Sequence, residues 1–300
     1  MTEMAKIAVI GLGRVGTALS LLLARAGCRL QVCDRNPAAA ERLRRMSVAE
    51  GLEIKILEDS AAAVVGTGLV MLAVQDRFLA PVAAALAAES EISWSGINVA
   101  HLSGSLTAAQ VLAPLQKEGA VIFSLHPLQS LADVEGALKV LPGSWFSFEG
   151  DDEGLAVASM LVELFGGRMV PLASADKPLY HAAAVVASNF FIVLEDLAIE
   201  LMSGIGVDRE SARQMLLPLI RGSFSNLERQ APEQALTGPI VRGDDATVAG
   251  HLAAIAGKFP QHLPAYRLLA GLNVDLARRL GAVKEDDFPS LTAADEQQTV

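Results

Sequence analysis

At 300 residues, with 52% hydrophobic and 19% charged side chains, the chain is too long for one small domain and too apolar for a disordered one. At roughly 150 residues per domain it predicts two globular units. Its 24 Lys and Arg against 34 Asp and Glu leave a formal charge of −10, without the clustered cations that counterion release demands, so nucleic acid is excluded as a partner.

A strand-like run, Lys6-Ile7-Ala8-Val9-Ile10, comes too early to leave room for a signal peptide. From there to residue 172 short apolar runs alternate with helical patterns, which predicts an α/β domain of Rossmann type, a doubly wound and mostly parallel sheet. Strands are expected at 6–10, 29–33, 53–57, 69–74, 98–102, 120–124, 145–148 and 168–172, and helices at 15–26, 37–49, 76–88, 107–117 and 153–165. Cys28 and Cys33 are too few for a disulfide framework and lack zinc-site spacing, and no His, Cys and acid spacing recommends a metal, so a cytoplasmic protein with reduced thiols is expected.

Beyond residue 172 strand-like alternation stops, predicting an all-α second domain. A helix runs from Pro178 to about Met202 and ends at Gly204 and Gly206. Its uncharged stretch, 182–194, falls short of the about 20 residues that span a bilayer, so it reads as a buried core helix and no membrane partner is expected. Asp208 caps a second helix that must kink or stop near Pro218; a loop at 231–243 and helices at 247–257 and 261–281 follow. The expected division is 1–172 for nucleotide binding, 173–283 for substrate binding and dimerisation, and 284–300 as a disordered acidic tail carrying Lys284 against Glu285, Asp286, Asp287, Asp295 and Glu296.

Gly11-Leu12-Gly13-Arg14-Val15-Gly16 follows the first strand and opens the first helix. In that context Gly11 permits the tight turn, Gly13 a close approach to a pyrophosphate, and Gly16 close helix–strand packing, while the helix N-terminus offers free amides to phosphates. Asp34, at the end of the second strand, can accept both ribose hydroxyls and favours NAD; Arg35 beside it can pair with a 2′-phosphate and favours NADP. The choice stays open. Ligands of open parallel sheets lie outside the carboxyl ends of the strands, which adds Val74 and Gln75 to the cofactor set and brings Ser103, Ser105 and His126 to the same crevice.

His101-Leu102-Ser103-Gly104-Ser105, the run Phe123 to Ser130 with His126-Pro127, the helix segment Tyr180-His181 through Ser188-Asn189, and the loop Ala235 to Asp244 with Gly238-Pro239 and Arg242-Gly243 form an ordered series. With the N-terminal glycines it resembles a bacterial family of predicted oxidoreductases, over roughly residues 5 to 281. That family joins a Rossmann-like NAD(P)-binding domain to a C-terminal domain of unknown function (number 2520). More distantly, the layout is similar to pyrroline-5-carboxylate reductase and 6-phosphogluconate dehydrogenase-like enzymes. Those place an all-helical domain after the nucleotide domain and commonly dimerise through it, which implies a homodimer here. In that reductase a later turn closes on the substrate carboxylate; Gly238-Pro239, Gly243 and Thr247 loosely resemble it, but Ile240-Val241-Arg242 interrupts the turn. Hydroxyisobutyrate-type dehydrogenases use a lysine three or four residues before an Asn on the equivalent helix. Near Asn189 that place is held by Val185 or Val186, so the lysine mechanism does not carry over.

These readings together predict an NAD(P)-dependent oxidoreductase moving a hydride between nicotinamide and a small oxo acid or imino acid; a non-catalytic NAD(P)-binding redox sensor is the alternative. His126 is the preferred acid, since an imidazole near pKa 6.5 can deliver a proton as hydride arrives, and prephenate dehydrogenase-like enzymes show a similar His-Pro after a strand. His181 and Asn189, eight positions apart on one helix face with Ser188 beside them, are further catalytic and substrate candidates, while Tyr180 reads as packing. Arg242 offers a planar fork to a carboxylate, with Thr247 and Ser105 as other substrate contacts.

Overall fold

The structure, a computed structural model, describes residues 6–292. The chain divides into two compact units, residues 1–189 and 190–300.

The first unit is built on eight strands: β1 (Lys6–Ile10), β2 (Arg29–Cys33), β3 (Ile54–Ile56), β4 (Leu69–Leu72), β5 (Asn98–His101), β6 (Val121–Pro127), β7 (Trp145–Gly150) and β8 (Arg168–Pro171). Their order is β3-β2-β1-β4-β5-β6-β7-β8. All neighbours are parallel except β6 and β7, which run antiparallel with His126 opposite Ser147. Strands β1, β4 and β5 are almost wholly buried because helices cover both sheet faces.

Between the strands lie α1 (Arg14–Arg25), α2 (Pro37–Ala49), α3 (Ser60–Val64), α4 (Asp76–Ala87), α5 (Ala108–Lys117), α6 (Val134–Val140) and α7 (Leu155–Leu164). Two cores result. One gathers Val9, Leu19, Val32, Leu43, Met71 and Phe123; the other, on the opposite face, gathers Ala8, Val70, Leu79, Val99 and Leu112. Helices α3 and α6 were not expected from the sequence. Each is short and starts at an aspartate cap, Asp59 and Asp133, whose side chain accepts a backbone N–H.

A helical run then spans Ser174–Ser203, comprising a 3-10 turn, α8 (Lys177–Val185), a π segment (Val186–Phe190) and α9 (Phe191–Ser203). The sequence reading made this a buried core helix. In the single chain only Lys177 of α8 is buried and no residue of α9 is, and the run is long and apolar enough, by length and composition, to cross a membrane. The π segment underwinds the helix, so the 3.6-residue phase that aligned His181 with Asn189 does not hold across it.

The second unit is helical: α9, α10 (Arg209–Arg229), α11 (Pro232–Ala235), α12 (Asp245–Lys258), α13 (Leu263–Arg279) and α14 (Pro289–Thr292). Asp208 caps α10 as expected, but the helix neither stops nor restarts at Pro218 and continues to Arg229. Its core holds Ile240, Val248, Leu252, Val274, Val283 and Phe288. The expected disordered tail is corrected in its first part: a 3-10 turn and α14 follow Lys284, and Phe288 is buried in that core because the acidic stretch also carries an aromatic anchor. Residues 293–300 of the tail lie outside the described residues.

Candidate active site

Strand order reverses between β1 and β4, and there, beyond the carboxyl ends of the strands, lies a cavity of about 450 Å³. Gly11, Gly13, Asp34, Arg35, Val74 and Gln75 line it, together with Asn36, Ser60, Phe78 and Val82. Gly11 turns the chain at φ +100°, a conformation that side chains rarely take. A Cβ on Gly16 would sit 1.9 Å from the Gly11 carbonyl oxygen, so the helix can approach the loop only at a glycine. A Cβ on Gly13 would meet nothing within 4 Å. No side chain caps α1, leaving its first amides for a ligand.

Asp34 stands in this lining with both oxygens engaged: Oδ2 accepts from Leu12 N at 2.5 Å and Oδ1 from Asn36 N at 2.7 Å. It shapes the loop as well as facing the cavity. Of the other expected cofactor residues, Leu12 is fully buried, Gly16 lies under the turn, Arg14 is exposed and Val15 half-buried. Ser103 belongs to a neighbouring polar cluster.

That cluster forms where β4, β5 and β6 end and α8 begins. Ser103 Oγ donates to Asp76 Oδ2 at 2.7 Å, and Ser105 Oγ reaches the same oxygen at 3.2 Å. Underneath, Lys177 Nζ donates to Ser103 O at 3.1 Å and Ser124 Oγ at 2.5 Å, and lies 3.9 Å from Glu149 Oε2. Glu149 in turn accepts from Ala108 N at 2.9 Å and from Ser174 Oγ at 2.6 Å. Lys177 is fully buried and Glu149 3% exposed, so the pair has almost no solvent screening. Burial brings the ammonium down to about 8, against the opposing pull of Glu149 and Asp76.

His126 and His181 meet edge to face, with ring centroids 6.2 Å apart. Gly104 packs against both: a Cβ there would stand 2.8 Å from His181 Nδ1 and 2.9 Å from His126 Nε2. His126 Nδ1 shares a 3.0 Å hydrogen bond with the Tyr180 hydroxyl. Burial, followed by the charges of Lys177 and His181, lowers His126 to about 4. The imidazole is therefore neutral at pH 7, not the near-neutral acid expected from its sequence. Burial raises the Tyr180 phenol, against a hydrogen bond from Ser147.

Asn189 is exposed and accepts at Oδ1 from Ser188 Oγ at 3.0 Å, inside the π segment. Thr247 and Arg242 belong to the second unit. Thr247 spends its N–H and hydroxyl on Asp244, the cap of α12, at 3.0 and 2.6 Å, and Arg242 is exposed. Lys177, Glu149 and Gly104 were missed. The one available signal was a lysine in the first turn of an otherwise apolar helix; the rest depended on strand ends meeting in space. Among the described residues, no three His, Cys, Asp or Glu side chains gather to hold a metal.

Residues 2–127 match a Rossmann-like domain, and residues 144–272 match a Domain of unknown function (DUF2520). No curated protein matches the chain. Among solved structures, a protein from Thermotoga maritima shares 25% identity at a TM-score of 0.71, covering 92% of this chain and 99% of that one. A protein from Bacteroides fragilis described as a candidate NADP oxidoreductase shares 22% identity at 0.69, over 91% and 98%. A reductive aminase from Aspergillus terreus, solved with NADPH and ethyl levulinate, shares 20% identity at 0.65, over 95% and 97%. The last two likenesses are of fold. The chain thus carries a Rossmann-like domain over residues 2–127 and a DUF2520 domain over residues 144–272.

Proposed function

We propose that the chain is an NADP(H)-dependent reductase, or the reverse dehydrogenase, of a small oxo acid or imino compound. The observation that carries this reading is that two features share the carboxyl end of the parallel strands: the glycine-turn cavity and the Asp76–Ser103 and His126–Tyr180 clusters. The cavity fits a dinucleotide, because an uncapped helix N-terminus and the open space at Gly13 supply a phosphate cradle. NADP is favoured over NAD by Arg35 in the lining, by the engagement of both Asp34 oxygens, and by the NADPH held by the reductive aminase. When bound, the cofactor supplies the hydride.

The chain's own residues supply orientation and the proton. With His126 neutral and its proton on Nδ1, the ring donates to the Tyr180 oxygen and leaves the tyrosine hydrogen free for a substrate oxygen or nitrogen. The same ring N–H and Ser147 then stabilise the phenolate that develops. Tyr180 thereby replaces His126 as proton donor. Lys177 has no open face; it acts through the Ser103 carbonyl and Ser124 hydroxyl.

Oxidation of NADPH and NADH, followed with a panel of 2-oxo acids and cyclic imines in wild type, Tyr180→Phe and His126→Ala, tests the assignment. Substrate-dependent oxidation that falls sharply in Tyr180→Phe supports it. Tight cofactor binding with no turnover on any substrate favours the redox sensor, and turnover indifferent to both substitutions removes the dyad. The working form proposed is a cytoplasmic homodimer. The exposed Ile192, Val193, Met215, Leu219 and Phe224 form more apolar surface than a monomer ordinarily leaves open, and a second copy is the partner proposed for it.

A further inference from the structure

The turn between β1 and α1 contains two consecutive peptide groups, the first held at its N–H and the second at its carbonyl oxygen. In the first, Leu12 N–H donates to Asp34 Oδ2 while the Gly11 oxygen points at Gly16, where a Cβ would come within 1.9 Å of it. In the second, the Leu12 oxygen accepts from Thr17 Oγ1 at 2.9 Å and from Arg42 Nη2 at 2.5 Å. Arg42 reaches in from α2 and also contacts Thr17 Oγ1 at 3.2 Å. No peptide in the described chain is cis. A trans peptide is planar with its N–H opposite its carbonyl, so whatever holds the Leu12 oxygen also sets the direction of the Gly13 N–H. Gly13 lines the cavity, and nothing occupies the space where its Cβ would be.

We propose that Arg42 and Thr17 are positioning residues of the nucleotide site: by gripping the Leu12 carbonyl they aim the Gly13 N–H at the ligand's pyrophosphate. The proposal rests on the dinucleotide reading above. Arg42 touches the turn from the side of α2, so it contributes orientation and not a direct phosphate contact. A guanidinium on a carbonyl is a charge-assisted hydrogen bond, and it polarises the same peptide so that its N–H becomes a stronger donor.

The test compares dissociation constants for wild type, Arg42→Met, Arg42→Lys and Thr17→Val. Ligands are NADPH, NADH and the matching fragments without a pyrophosphate, adenosine 2′-phosphate and adenosine. Arg42→Met weakens the dinucleotide that wild type binds by about tenfold, with its fragment changed by less than about twofold, and Arg42→Lys recovers most of the loss. The Gly13 amide resonance shifts on NADPH addition in wild type and shifts less in Arg42→Met. Unchanged dinucleotide affinity in Arg42→Met, or an equal loss for dinucleotide and fragment, overturns the proposal while the dinucleotide reading stands. A wild type that binds neither dinucleotide removes that reading, and this one with it. Thr17 is fully buried and its variant can fail to fold; the half-buried Arg42 then decides the outcome alone.

Discussion

Replacing Lys177 by methionine keeps most of the side-chain volume and removes one buried charge. The ammonium donates to Ser103 O and Ser124 Oγ and stands 3.9 Å from Glu149, with neither partner of the ion pair more than 3% exposed. Breaking a buried pair from one side costs about 3–5 kcal/mol, because the remaining charge is left uncompensated. Glu149 keeps its bonds from Ala108 N and Ser174 Oγ, which places the expected loss at the lower end, about 3 kcal/mol. Lys177→Met with Glu149→Gln, which neutralises the orphaned carboxylate, should recover part of it. Urea unfolding followed by tryptophan fluorescence reads the first unit alone, since Trp94 and Trp145 both lie there. The folded-state value near 8 adds a pH signature. Between about 8 and the unfolded 10.5 the unfolded chain binds more protons, so wild-type stability gains on the order of 3 kcal/mol as pH rises through that window. In Lys177→Met that gain should vanish. The same substitution removes a positive charge from His126, so the His126 ring should titrate above about 4 yet stay below 6.5, because burial is the larger cause. A loss under about 1 kcal/mol, or a His126 titration that stays put or moves down, would refute the reasoning.

Three further outcomes are expected. Gly104→Ala puts a methyl 2.8–2.9 Å from two imidazoles; it should cost about 1–3 kcal/mol by overpacking and depress turnover, measured by thermal melting beside steady-state kinetics. His101 and His126, lowered by burial first to about 3 and about 4, bind fewer protons folded than unfolded below pH 6.5. Stability should therefore fall as pH drops from 6.5 through 4, and less steeply in His126→Gln, while the rate profile shows no break near 6.5. Light scattering should give twice the 31.5 kDa chain mass, and Leu219→Asp, which puts a charge on the exposed apolar face of α10, should return a monomer.

The glycine turn shows what a linear pattern can carry. Gly11, Gly13 and Gly16 were legible because their demands are local: a positive φ at one position and a 1.9 Å clash at another arise from neighbours within a few residues. Strands with unbroken apolar character and helices with clear caps, such as α2 and α5, were legible for the same reason. Helices α3 and α6 were not, since five and seven residues are too few to establish a period. Pro218 did not end α10, because a proline costs one hydrogen bond, a loss that a 21-residue helix packed on α9 absorbs.

Sequence alone therefore determined the class of fold, the glycine turn and the absence of strand patterning in the second half, all consequences of short-range sterics and hydrophobic period. Tertiary structure decided the chemistry. Lys177 sits beside Ser103, Ser124 and Glu149 only because β5, β6, β7 and α8 converge. The neutrality of His126 follows from desolvation and from a charge 51 positions away along the chain, which no local pattern encodes. A side chain's residue type is written in the sequence, but its proton affinity is set by whatever the fold packs against it.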